Sequence, residues 1–117
     1  MAKHRVTKKT EFSQKERKKI IARDRGQCIF CMMGYPAAGA NFLDLDIREI
    51  MHFIPRSQLG LGVERNGAVG CRFHHMQMDN GNKGLRAEML GRFEAYLRGC
   101  YPDWDKGALV YKKYDFW

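Results

Sequence analysis

The chain has 117 residues, 44% of them hydrophobic and 29% charged, with a net charge of +8. Its length suits one domain that buries roughly two-thirds of its unfolded surface, and its composition is ordinary for a soluble protein. No apolar run approaches the ~18 residues of a membrane span, and the opening MAKHRVTKKTEF lacks the apolar core of a signal peptide.

Charge is unevenly placed. Residues 1–25 carry ten Lys/Arg against three Asp/Glu, whereas residues 26–117 carry eleven against ten. Such a basic end suits a phosphate backbone, where neutralised phosphates release counterions, though a solvated tail would look the same. Residues 1–12 read as a flexible basic arm, followed by a single domain over 13–117. Ser13 and Glu16 form a capping box that starts a helix running to about Arg25, with Gly26 as its stop. Ile20 and Ile21 give that helix a thin apolar face. Lys15, Lys18, Lys19 and Arg23 on its other faces are candidate phosphate contacts.

Cys28-Ile-Phe-Cys31 comes next, then a Gly/Pro loop between Gly34 and Gly39. Leu43, Leu45 and Ile47 alternate with Asp44, Asp46 and Arg48, which predicts a strand over 42–53 that ends near His52 and is closed by Pro55. A glycine-bearing loop follows. A second strand over about 67–71 is expected to return antiparallel, and a helix to run from residue 73 or 74 to about Asp79, where Asn80-Gly81 breaks it. Leu85, Met89, Leu90, Phe93, Tyr96 and Leu97 recur at helical spacing, predicting a long helix over 85–98 that packs on the domain, with Gly99 as its cap. The tail, 104–117, is aromatic and suited to covering the core or to self-association. The fold class is therefore α+β, with helices flanking a central hairpin.

Cys28, Cys31, Cys71 and His74 make a Cys3His set of two x-x knuckles some 40 residues apart. In a reducing cytosol that pattern reads as structural Zn2+, because thiolates are soft ligands and the set closes a tetrahedral shell. Cys100 is left over as a small hydrophobe. His74 and His75 point about 100° apart on a helix, so one faces the zinc and the other a second site. Repetition of the knuckle spacing assigns His74 to zinc, with His75 as the alternative.

His52, followed by Phe-Ile-Pro-Arg-Ser, then Asn66, then His75, stand in order with the knuckles around them. Over residues 28–81 this resembles the HNH branch of the His-Me finger nucleases, and its flavour is similar to small phage-type HNH proteins that act near DNA packaging. The resemblance implies a ββα-metal core stapled by zinc and a metal-dependent DNA endonuclease. In that reading His52 is the general base, Asn66 braces the loop that orients it, and His75 holds a divalent ion, Mg2+ or Mn2+ or another, at the leaving 3′-oxygen. It further implies 5′-phosphate and 3′-hydroxyl products, DNA as partner, terminase-like packaging proteins as further partners, and the cytosol of a bacterium or phage-infected host. One position departs from the pattern: Met51 stands where the family commonly carries a metal-binding Asp or His, and a thioether is a poor ligand for a hard cation. Asp79, four residues after His75 and on its helix face, is the candidate substitute. Arg56 is the foremost candidate for phosphate near the scissile bond. No recognition helix or repeated base-reading module is visible. The competing reading is a zinc-stabilised DNA-binding or packaging accessory module without turnover.

Overall fold

The computed structural model describes residues 8–112. Helix α1 spans Gln14–Asp24 and the short α2 spans Ile29–Met32. Helix α3, Phe42–Asp46, leads into strand β1, Arg48–His52; β2, Gly67–Cys71, runs directly into α4, Arg72–Asp79; and α5 spans Arg86–Cys100. The architecture is α+β, built on a two-stranded antiparallel sheet whose register pairs Arg48 with Cys71 and His52 with Gly67. Among the described residues no helix is long and apolar enough to cross a membrane.

Local chemistry explains most of the boundaries. The Ser13 hydroxyl accepts the Glu16 N–H and starts α1. The expected reciprocal half of the capping box is absent: the Glu16 carboxylate instead accepts the Glu64 N–H at 2.7 Å, tying the helix start to the turn before β2. Arg25 and Gly26 end α1 with positive φ, and the Gly26 N–H returns to the Ile21 carbonyl.

The strand predicted over 42–53 is half that length. Asn41 caps a helical turn by accepting the Asp44 N–H at 2.8 Å, so residues 42–46 coil and leave Phe42 and Leu43 exposed. Apolar alternation over so few residues cannot outweigh a satisfied cap. The long C-terminal helix also differs at its end. It passes through Gly99 and stops when Tyr101, forced out of the helical region by Pro102, turns extended.

Met89, Phe93 and Leu97 of α5 are fully buried against Phe30, Met51, Phe53 and Ala68, as the helical stripe requires. Leu85, expected in the same stripe, lies just before α5 and is exposed. The tail covers the core as far as it is described. The Trp104 indole donates to the Arg65 carbonyl at 2.7 Å, and Leu109 and Tyr111 exchange backbone hydrogen bonds with Leu61 and Leu59. Residues 113–117 lie outside the described part.

The flexible-arm reading needs correction for residues 8–12; residues 1–7 lie outside the described part. Thr10 is buried, the Gly62 N–H donates to the Lys9 carbonyl at 2.9 Å, and Phe12 packs where a side chain at position 67 would otherwise stand. Gly62 and Gly67 allow this approach, since a Cβ at either would fall within 3 Å of the segment. A basic composition does not prevent Phe12 from packing against the domain.

Candidate functional site

Two knuckles bring the Cys3His set together. Cys28 caps α2 and Cys71 caps α4, each sulfur accepting the backbone N–H three residues on at 3.4 Å. The four ligand atoms lie within 4.8 Å of one another. Sγ of Cys31 and of Cys71 are 3.9 Å apart, and His74 Nδ1 lies 3.4, 3.6 and 3.7 Å from Cys71, Cys31 and Cys28. A tetrahedral zinc with Zn–S near 2.3 Å and Zn–N near 2.0 Å requires edges of about 3.8 and about 3.5 Å, so the set is compatible with a structural zinc.

The second ring nitrogen of His74 decides its role. Nε2–H donates to the Pro36 carbonyl at 3.0 Å, which leaves Nδ1 as the ligand atom. Phe30, Tyr35 and Phe73 ring the imidazole and limit access of water. Burial, with Cys28 and Cys71 close by, pushes the Cys31 thiol up to about 12, so this sulfur needs a cation before it can be a thiolate.

His75 faces away from this set. Nδ1 lies 2.9 Å from Glu49 Oε1, and Nε2 lies 3.4 Å from Asp79 Oδ2. A carboxylate on Nδ1–H fixes the ring and turns Nε2 outward, the arrangement by which carboxylates orient metal-binding histidines. The Nε2–Asp79 spacing is close to the roughly 3.0 Å expected of two neighbouring oxygen or nitrogen ligands on an octahedral cation. Glu49 was not singled out in the sequence. Its signal was strand alternation, which puts residue 49 on the same face as Met51, toward α4. Among the described residues the Cys3His set is the one group of three or more His, Cys, Asp or Glu whose ligand atoms converge; Glu49 and Asp79 hold opposite nitrogens of His75. Met51 is a core residue, fully buried, and a Cβ at position 70 would sit 2.3 Å from its sulfur.

His52 ends β1. Its Nε2–H donates to the Thr10 carbonyl at 2.7 Å, leaving a lone pair on Nδ1, and Phe12 lies over the ring at 4.2 Å between centroids. Burial lowers its pKa below the ordinary 6.5; the Thr10 carbonyl opposes this, and the charges of Arg56 and His75 add to it. Asn66 is fully buried. Its Oδ1 accepts the Ile54 N–H at 2.8 Å, and its Nδ2 donates to the Ile54 and Leu61 carbonyls at 3.1 and 2.8 Å. The Asn66 carbonyl takes the Phe53 N–H at 2.8 Å, continuing the pairing next to His52. This one side chain closes the loop at both ends.

The basic candidates separate. Lys15 and Lys18 are exposed on α1, while Lys19 is drawn to Glu16 at 3.0 Å and Glu64 at 3.8 Å. Arg56, half-exposed, donates to the Thr10 hydroxyl at 3.3 Å and pairs with Glu11. Arg23 does not face solvent and is corrected to a structural role. It donates to Asp24, to the Glu64 and Gly67 carbonyls and to the Tyr101 hydroxyl, with its side chain 14% exposed. Burial alone would lower its pKa, but these partners raise it. No family model, no curated protein and no solved structure matches the chain.

Proposed function

We propose that the chain is a metal-dependent DNA endonuclease of the HNH type, with the β1–β2–α4 unit as a ββα-metal finger. What carries the reading is the complementary orientation of two imidazoles. His52 keeps a lone pair on Nδ1 because Nε2 is spent on a carbonyl, and His75 turns Nε2 toward Asp79 because Nδ1 is spent on Glu49.

In this mechanism Nδ1 of neutral His52 takes a proton from water and the water oxygen bonds to phosphorus. The P–O3′ bond breaks, and solvent supplies the proton that completes the 3′-hydroxyl, leaving a 5′-phosphate on the other fragment. Arg56, within electrostatic reach of His52, binds a non-bridging phosphate oxygen. Mg2+, Mn2+ or another divalent ion held by His75 and Asp79 would offset charge on the leaving oxygen when bound. Asn66 keeps the loop after β1 from drifting. Lys15 and Lys18 hold the duplex through phosphates, without reading sequence.

A second reading, a zinc-stabilised DNA-binding or packaging accessory module, draws support from Met51, which removes a common ion ligand into the core. Supercoiled plasmid incubated with a panel of divalent ions separates the two. We expect nicking or linearisation by the wild type and none by His52→Ala, with DNA binding retained. Binding without cutting under every ion, alone and with a terminase-like partner, would favour the accessory module.

A further inference from the structure

We propose that residues 9–12 form a wall of the catalytic centre, with Thr10 and Phe12 as positioning residues for His52 rather than as part of a DNA-binding arm. This rests on the nuclease reading for its catalytic meaning, though not for its geometry. Three contacts carry it. The Thr10 carbonyl takes the Nε2–H of His52 at 2.7 Å, the Phe12 ring lies on the imidazole at 4.2 Å, and the Thr10 hydroxyl accepts from Arg56 Nε at 3.3 Å. One residue thus holds both the base and the neighbouring cation from a stretch far from them in sequence.

The chemistry follows from the tautomer. An unconstrained neutral imidazole divides its proton between Nδ1 and Nε2, and only the Nε2–H form offers Nδ1 to water. A fixed carbonyl acceptor selects that form. The Phe12 ring restricts rotation about the ring axis, which would otherwise spoil the alignment that proton transfer needs. The segment is itself held by Gly62, whose N–H donates to the Lys9 carbonyl and whose missing Cβ makes room for the Glu11 carbonyl; a Cβ there would stand 2.1 Å from that oxygen.

Two substitutions on the full chain test this. Gly62→Ala displaces the segment without touching His52, and Phe12→Ala removes the ring while keeping the backbone. Ring 15N shifts of His52 in zinc-loaded protein report the tautomer whether or not DNA is cut. We expect the wild type to be a single Nε2–H form, Gly62→Ala to be a mixture with cutting down about 100-fold and DNA affinity held within about threefold, and Phe12→Ala to lose the ring-current shift with a smaller loss of rate. An unchanged His52 15N pattern and an unchanged rate in folded Gly62→Ala would overturn the proposal. Should Gly62→Ala fail to fold, an unshifted His52 ring and an unaltered rate in Phe12→Ala would overturn it equally. A wild type that shows the fixed tautomer but never cuts would sink the nuclease reading and leave the positioning contact standing.

Discussion

Three imidazoles in this chain are each assigned by an oxygen on the ring nitrogen that does not serve. His74 gives Nε2–H to Pro36, His75 gives Nδ1–H to Glu49, and His52 gives Nε2–H to Thr10. The two adjacent histidines thus face different neighbours: His74 presents Nδ1 to the sulfurs, while His75 presents Nε2 to Asp79. Substitution therefore separates them. His75→Ala should retain the structural zinc by elemental analysis and abolish cutting, whereas loss of zinc from that variant would exchange the two histidines' roles. Protonation tests His52. A general base acts neutral, and burial with nearby Arg56 and His75 holds the His52 imidazole below 6.5, as the proposed role requires. The acid limb of kcat/KM should thus be centred below 6.5. An acid limb of kcat/KM centred above 6.5 would exclude His52 as the titrating base.

At the scale of elements, α1 is joined to the hairpin by a buried ion pair. Asp24 accepts from Arg23 at 2.7 Å and from the Val69 N–H at 2.8 Å, and takes the Tyr96 hydroxyl as well, so it links α1, β2 and α5. Tyr96 responds with a raised pKa, first from burial and then from Asp24. Removing the carboxylate strands Arg23 and the Val69 N–H in the interior, which typically costs about 3–5 kcal/mol. Asp24→Ala should show that loss in denaturant melts; a cost under about 1 kcal/mol would mean that water replaces the carboxylate. The apolar period of α5 and the cap at Ser13 were legible in the sequence because both are local. Conversion of residues 42–46 to helix was not: the Asn41 cap competed with an alternation only half as long as it looked.

Across the whole molecule, the Cys3His cluster fastens α2 to the β2–α4 junction, two parts that are distant in sequence and share a small core. Structural zinc in such sets contributes on the order of 10 kcal/mol of apparent folding energy, comparable to the full stability of a domain this size. Chelation, or Cys28→Ser, should then abolish the cooperative thermal transition; a zinc-free chain melting at the wild-type temperature would make the cluster incidental. Because the Cys31 thiol is pushed up to about 12, zinc must displace protons, and its affinity should climb with pH in chelator competition.

The residue order alone determined the two x-x knuckles, the second strand and the two main helices, because each depends on spacing within one knuckle or one element. Only the tertiary structure decided what each side chain meets. It turned Arg23 inward, brought Glu49 to His75, buried Met51, and laid Thr10 and Phe12 on His52. The reason is physical: a side chain's spacing along its own element follows from helix and strand periods, whereas its partners across tens of residues follow from how the elements pack.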